Sequence, residues 1–210
     1  MTNQHTARRG FFSRVAGALA AGLTGVAAQP AAAASEEDSD WPGKLTARHR
    51  LVVDAYQING GRPLDFARAF VETNPPSAGQ SVVIFRAGAV AMAVNDAVWA
   101  KYKLGESLKI TDPATGAPAV KNLFAQPGSG MLHEDSSAIT RMLAAGAVMG
   151  ACNLALHGMS RGMAHAAGVD ADQATKDWLA GVLPGITVIP SGVWGLARAQ
   201  EAGCGYCTGG

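Results

Sequence analysis

The chain has 210 residues, of which 48% are hydrophobic, and 17 basic residues stand against 16 acidic ones. Three of the arginines, Arg8, Arg9 and Arg14, lie in the first 34 residues, which hold no acidic residue. The remainder therefore has 14 basic and 16 acidic residues and a net charge of −2. That charge argues against nucleic acid or an anionic membrane as the partner, because both select basic surfaces. The remaining length of about 175 residues is enough for one domain with its own core.

Residues 1–34 are predicted to be a twin-arginine signal peptide. An arginine pair precedes two phenylalanines in 8–12, a weakly apolar run follows over 15–28, and small residues fill 31–34. A charged segment, a short apolar segment and an Ala-x-Ala-like site are the parts of a cleavable export signal, and paired arginines indicate the twin-arginine type. The apolar run is too short and too glycine-rich for a membrane anchor. The sequence therefore predicts cleavage near residue 34 and a soluble periplasmic protein.

Strands alternate with helices from residue 48 onward, after an acidic linker predicted over 35–47. Apolar runs bounded by Gly, Asn and Pro predict strands over 51–58, 81–85, 147–152 and 185–190. Apolar residues at helical spacing predict helices over 64–72, 91–102, 136–145, 153–166, 172–183 and 193–202. This alternation predicts a doubly wound α/β domain over 48–210 with a mostly parallel sheet.

One long segment interrupts the alternation. Residues 104–135 are predicted to form a hairpin around 112–116, followed by an open loop over 126–130. An insertion of this length in a compact domain is often a lid or an interface element. The tail, 204–210, is a candidate for a short edge strand.

The predicted strands end in four short polar or glycine-containing turns, at 60–61, 86–88, 152–153 and 191–192. Sites in open parallel sheets form at the carboxyl ends of strands, so these turns are expected to meet at one edge. The first turn lacks both the G-x-G-x-x-G pattern and the Gly-Lys-Ser/Thr ending of phosphate loops. The sequence therefore predicts no nucleotide site and no other cofactor.

Cys152 is the candidate nucleophile at this edge, and Arg86 is the candidate cation beside it. Cys152 stands where the third strand gives way to a helix, and the positive end of a helix dipole favours a thiolate. Arg86 ends a neighbouring strand and would add positive potential. The alternative is that Cys152 is a small buried hydrophobic residue, as most free cysteines are.

The pair Cys204-x-x-Cys207 is a second candidate site. In an oxidising compartment two cysteines this close in sequence favour a local disulfide, whereas redox exchange and metal binding are the other uses of the motif. A zinc site would need two further ligands, for which His133, His157 and His165 are the available histidines. The sequence therefore predicts no metal site as its main interpretation and keeps metal binding as an alternative.

Two segments resemble DsrE/DsrF-like proteins: VMGACNLALHGMSRG, residues 148–162, and ITVIPSGVWGLARAQEAG, residues 186–203. The first is similar to the cysteine segment of that family and the second to its last strand and helix. The resemblance covers residues 48–206, except for the insertion. It implies a flavodoxin-like three-layer sandwich that assembles into oligomers. It also implies that Cys152 matches the cysteine on which some members carry sulfur as a persulfide and relay it between partner proteins.

Two functional hypotheses follow from the residues and the resemblance. In the first, the protein is an exported sulfur carrier or sulfurtransferase with a persulfide on Cys152, a thiolate stabilised by Arg86, and an insertion that excludes water. Its partners would be a sulfur-containing small molecule or a partner protein, its assembly a homo-oligomer, and Cys204 and Cys207 would release the sulfur. In the second, it is a non-catalytic periplasmic binding or assembly module with a structural Cys204–Cys207 disulfide.

Overall fold

The computed structural model of the protein describes residues 41–210, which belong to one compact unit. The predicted signal peptide and the first part of the predicted linker, 35–40, lie outside the described residues. Within the described part of the chain, no helix has the length and apolar character needed to cross a membrane.

Five parallel strands form one sheet in the order β4-β3-β2-β1-β5. The strands are β1 His49–Ala55, β2 Gly79–Phe85, β3 Val148–Cys152, β4 Ile186–Ile189 and β5 Gly205–Thr208. The α-helices are α1 Arg62–Thr73, α2 Asp96–Lys101, α3 Leu104–Ser107, α4 Ile139–Ala144, α5 Asn153–Ala164, α6 Ala171–Ala180 and α7 Gly192–Glu201. The four predicted strands are confirmed, and the tail forms a short edge strand beside β1.

Helices cover both faces of the sheet because its central strands are apolar on both sides. In β2, Val83 and Phe85 point into one buried cluster, and Val82 and Ile84 point into another. The first cluster includes residues of α1, α2, α5 and α6, and its side of the sheet is called the α1 face below. The second includes residues of α7, and its side is called the α7 face. These layers confirm the predicted flavodoxin-like three-layer α/β sandwich.

The predicted helix over 91–102 is wrong in its first half. A 3₁₀ helix covers Ala87–Ala93, and α2 begins only at Asp96. Between them the backbone at Val94 is extended, and Asn95 caps α2 by accepting a hydrogen bond from the amide of Val98 at 3.1 Å. An asparagine that can satisfy a free helical N–H favours a new helix start, and this local signal outweighs the apolar spacing.

The insertion packs against the rest of the domain, and its residues 126–130 form turns and bends, in agreement with the predicted loop. Its predicted hairpin is reduced to a chain reversal, with one antiparallel bridge between Thr111 and Pro118. Asn122 anchors the segment: its side chain donates to the carbonyls of Met92 and Val94 at 2.8 and 2.7 Å. Satisfying two buried carbonyls in this way fixes the insertion against the 3₁₀ segment.

Asp177 of α6 ties that helix to α2. Its carboxylate accepts hydrogen bonds from Lys101 Nζ at 2.5 Å, from the Tyr102 hydroxyl at 2.7 Å and from Gln173 at 2.7 Å. These three donors, Lys101 first, lower the pKa of Asp177 from its ordinary value of 3.8 to about 2. A carboxyl group whose pKa is depressed by folding stabilises the fold above its unfolded pKa and loses that contribution as pH falls through its folded pKa.

We therefore expect Asp177→Asn to be less stable than the wild type by a constant margin from pH 7 down to about pH 4. The margin should shrink between pH 4 and pH 2, because Asp177 takes up its proton near pH 3.8 in the unfolded wild type but only near pH 2 in the folded protein. Urea unfolding of both proteins across this range measures it. The matched control is Asp172→Asn, which removes an exposed carboxylate with one ion pair, to Arg161. A margin that does not change below pH 4 would contradict the prediction.

Candidate functional site

The carboxyl edge of the sheet brings four polar side chains to its α7 face. Asp54 lies near the end of β1, Arg86 directly follows β2, Cys152 ends β3, and Tyr206 is the second residue of β5. The pairing of Phe85 with Ala151 places Arg86 next to Cys152 in the parallel register. Because side chains alternate along a strand, these residues share the side of Val82, Ile84 and Val148. The sequence predicted this edge as the site and both Arg86 and Cys152 as its members.

Asp54 is a buried carboxylate held by two partners. Asp54 is only 2% exposed. Arg86 Nε donates to Oδ1 at 2.6 Å and Nη2 donates to Oδ2 at 2.7 Å, and the Tyr206 hydroxyl donates to Oδ2 at 2.9 Å. This two-pronged geometry is the strongest form of an arginine–carboxylate pair. The hydrogen bond to Asp54 raises the pKa of Arg86, and likewise raises the pKa of Tyr206.

Arg86 is fixed on its other sides by packing. Its guanidinium carbon lies 4.5 Å from the centre of the Tyr56 ring, a cation–π contact. Its aliphatic part lies against Gly192 at the start of α7, where a Cβ would come within 2.6 Å of Arg86 Cβ and Cδ. A glycine is therefore required there for α7 to begin so close to the arginine. The Arg86 side chain remains 25% exposed, so a positively charged surface is left open at this edge.

Cys152 is the N-cap of α5. Its Sγ accepts a hydrogen bond from the backbone amide of Ala155 at 3.3 Å, and the residue is 6% exposed. An N-cap acceptor meets the free N–H groups and the positive dipole end of its helix, which stabilise negative charge. Cys152 thus caps α5 and is the register neighbour of Arg86, whose guanidinium reaches to Asp54 on β1.

Cys204 and Cys207 are free thiols, and the predicted disulfide between them is wrong for this geometry. Three residues of extended chain separate their Cα atoms by about 10 Å, whereas a disulfide spans less than about 7 Å. Strand alternation also turns the two side chains to opposite faces. Cys204 is buried among the α7-face apolar residues, and burial raises the pKa of its thiol.

Two further expectations do not match the packing. Within residues 41–210 no group of three or more His, Cys, Asp or Glu residues is placed to bind a metal, so metal binding by Cys204 and Cys207 has no ligand set there. The insertion was expected to cover Cys152. It packs on the α1 face instead: Leu123 and Phe124 are buried in the α1-face cluster, and Asn122 donates to the carbonyls of Met92 and Val94. The insertion is therefore not positioned to shield the site.

Asp54, Tyr206 and Tyr56 are the site residues that sequence reasoning missed. A signal for Asp54 was present, because it is the one acidic residue inside the apolar run 51–55. A carboxylate in a buried strand needs a partner, and this need predicts a cation at a neighbouring strand end. No comparable signal pointed to Tyr206, because its role depends on β5 lying beside β1.

Comparisons with known proteins identify no family for this chain. No protein-family model matches the chain, and no curated protein matches it. Among solved structures it is similar to MTH1491, a protein of unknown function from Methanobacterium thermoautotrophicum. The two share 15% sequence identity over 76% of this chain and 98% of that one, with a TM-score of 0.41. A likeness this distant carries no argument about function.

Proposed function

We propose that the protein is an exported sulfur carrier or sulfurtransferase that holds sulfane sulfur as a persulfide on Cys152. The observation that carries the proposal is the position of the Cys152 sulfur, which caps α5 in register with Arg86. A helix N-terminus favours negative charge on a capping sulfur, and in the proposal Arg86 adds positive charge at the same edge of the sheet. The resemblance of residues 148–162 and 186–203 to DsrE/DsrF-like proteins supports the same chemistry, and the arginine pair of 8–9 supports export.

The sulfur-transfer step can be written with thiosulfate as the donor. The Cys152 thiolate attacks the outer sulfur of thiosulfate, and a new S–S bond forms on Cys152. The S–S bond of thiosulfate breaks, and sulfite leaves with the bonding electron pair. The transferred sulfur is already at the sulfane level, so the step needs no further oxidant. Arg86 would hold the dianionic donor with the exposed part of its guanidinium, while its Nε and Nη2 stay bonded to the buried Asp54.

An exposed apolar rim around this edge supports a protein partner as the acceptor of the sulfur. Tyr56, Leu154, Val193 and Tyr206 are between 43% and 68% exposed. Tyr56 and Tyr206 belong to the site, and Leu154 and Val193 lie close in sequence to Cys152 and Gly192. Large apolar side chains gathered at one surface are typical of sites of protein contact. The rim therefore fits both a partner protein and assembly of copies of this chain.

Intact mass measurement tests the proposal. We expect purified protein, reduced and then incubated with thiosulfate or polysulfide, to gain about 32 Da, the mass of one sulfur held as a persulfide. Cys152→Ser should gain nothing, whereas Cys204→Ser and Cys207→Ser should still gain it. An adduct that persists in Cys152→Ser, or one that never forms on the wild type, would overturn the proposal.

The burial of Cys152 favours one competing function, a binding or assembly module in which the cysteine only packs. The two functions differ in the reactivity of this thiol in the native state. Counting thiols with a small alkylating reagent, before and after unfolding, separates them. Labelling of Cys152 in the folded protein supports the carrier, and labelling only after unfolding supports the module.

A further inference from the structure

A cavity of about 590 Å³ lies on the α1 face at the amino end of the sheet, away from Cys152. Ala147, directly before β3, forms part of its wall, whereas Cys152 ends that strand. Five residues of strand separate the two by about 16 Å. The cavity is therefore distinct from the cysteine and from the Asp54–Arg86 pair, which lies at the carboxyl edge.

The insertion and two helices enclose this cavity. Its apolar wall includes Val71 of α1, Met142 of α4 and Pro127 of the insertion. Met142 is buried, so the apolar wall continues into the core of the domain. The Asp135 Oδ1 accepts a hydrogen bond from the amide of Gly128 at 2.7 Å, which fixes the loop that bounds the cavity. A mainly apolar enclosure of this volume is in the range of small-molecule sites.

Four charged residues line the cavity, two of each sign. Arg68 and Glu72 pair with each other, and the second oxygen of Glu72 accepts a hydrogen bond from the Ser136 hydroxyl at 3.2 Å. Arg141 and Asp135 are both exposed, and neither makes an ion pair within the described part of the chain. The charges left for a ligand are therefore one guanidinium and one carboxylate.

This pair of free charges discriminates among ligands. A ligand with a single negative charge would be attracted to Arg141 but would also meet Asp135, and a ligand with a single positive charge would meet the reverse arrangement. Repulsion by the like charge weakens the binding of both. An uncharged apolar ligand would displace water from the two charged groups without replacing it. A ligand with both charges at one end and an apolar body at the other avoids all three costs.

We propose that this cavity binds an α-amino acid with a large apolar side chain. The α-carboxylate pairs with Arg141, and the ammonium group pairs with Oδ2 of Asp135, the oxygen that is not bonded to the loop. The side chain of the ligand lies against Val71, Met142 and Ala147. Recognition thus combines two charge-assisted contacts at the exposed residues with apolar burial against the inner wall.

Calorimetric titration of the full chain with phenylalanine and three analogues tests this assignment. Hydrocinnamate lacks the ammonium group, phenethylamine lacks the carboxylate, and glycine lacks the apolar side chain. We expect phenylalanine to bind about tenfold more tightly than hydrocinnamate or phenethylamine, because each analogue loses one charge-assisted contact. Glycine should show no measurable binding, because it buries no apolar side chain.

Two charge variants assign the two contacts separately. Asp135→Asn keeps an oxygen that can accept from the amide of Gly128 but loses the negative charge, so phenylalanine should bind it no more tightly than hydrocinnamate does. Arg141→Gln should remove the preference for phenylalanine over phenethylamine in the same way. The matched controls, Glu134→Gln and Arg48→Gln, change exposed charges outside the cavity and should leave all affinities unchanged.

A cavity-filling variant separates binding in the cavity from association with the surface. Ala147→Met adds volume to the cavity wall, and thermal unfolding checks that it remains folded. Loss of phenylalanine binding in folded Ala147→Met supports the proposal. Absence of binding by the wild type, or equal affinity for phenylalanine and its two singly charged analogues, overturns it. Cys152→Ser should bind phenylalanine normally, so failure of the sulfur chemistry and failure of this site give different results.

Discussion

Arg86→Gln is expected to lower the free energy of unfolding by about 3 kcal/mol, because it leaves a buried carboxylate without its cation. Asp54 is only 2% exposed, so water cannot replace the lost partner. Asp54→Asn should cost less, about 1–2 kcal/mol, because the 25% exposed Arg86 can regain water. The double variant Asp54→Asn/Arg86→Gln should recover most of the loss, since both side chains are then neutral and can bond to each other and to Tyr206.

Urea unfolding of the four proteins forms a double-mutant cycle that measures this coupling. The matched control is Arg161→Gln, which removes an exposed ion pair with Asp172, 3.0 Å long. That control should change stability by less than about 1 kcal/mol. If Arg86→Gln and the double variant lose the same stability, the Asp54–Arg86 pair does not act as the buried unit described here.

The fold was predictable because its signals are local. Apolar runs of strand length and apolar residues at helical spacing each lie within about ten residues of sequence, and each of the four predicted strands is followed by a helix. The predicted helix over 91–102 was wrong where two local signals competed. At Asn95 a capping side chain ended one helix and began another, although the apolar spacing continued through it.

The site was predictable only in part, because its contacts join distant segments. Cys152 and Arg86 could be placed at strand ends from the β-α pattern alone. The bond between Tyr206 and Asp54 spans 152 residues and depends on the last strand returning to the edge beside β1. The same strand explains the wrong disulfide, since the spacing of Cys204 and Cys207 permits a bridge in a turn but not in an extended strand.

Loading of Cys152 from an anionic sulfur donor is expected to depend on the charge of Arg86, even in a variant that keeps the stability of the fold. We expect the double variant Asp54→Asn/Arg86→Gln to keep its fold but to lose the exposed cation at the carboxyl edge. Loading of Cys152 from thiosulfate should then slow by about tenfold, the effect of one partly exposed charge worth about 1.4 kcal/mol. Mass spectrometry at timed intervals gives the loading rate for each protein.

A reaction with a neutral reagent separates the effect of the Arg86 charge from an effect of Arg86 on the position of Cys152. Iodoacetamide carries no charge, so its reaction with Cys152 should slow less than thiosulfate loading in the double variant, and added salt should reduce the difference. The helix N-terminus of α5 is unchanged in this variant, so the sulfur keeps its bond from the amide of Ala155. Equal slowing with both reagents would assign Arg86 to the positioning of Cys152. Unchanged loading from thiosulfate would remove Arg86 from the sulfur chemistry and leave the start of α5 as the source of positive potential at the thiol.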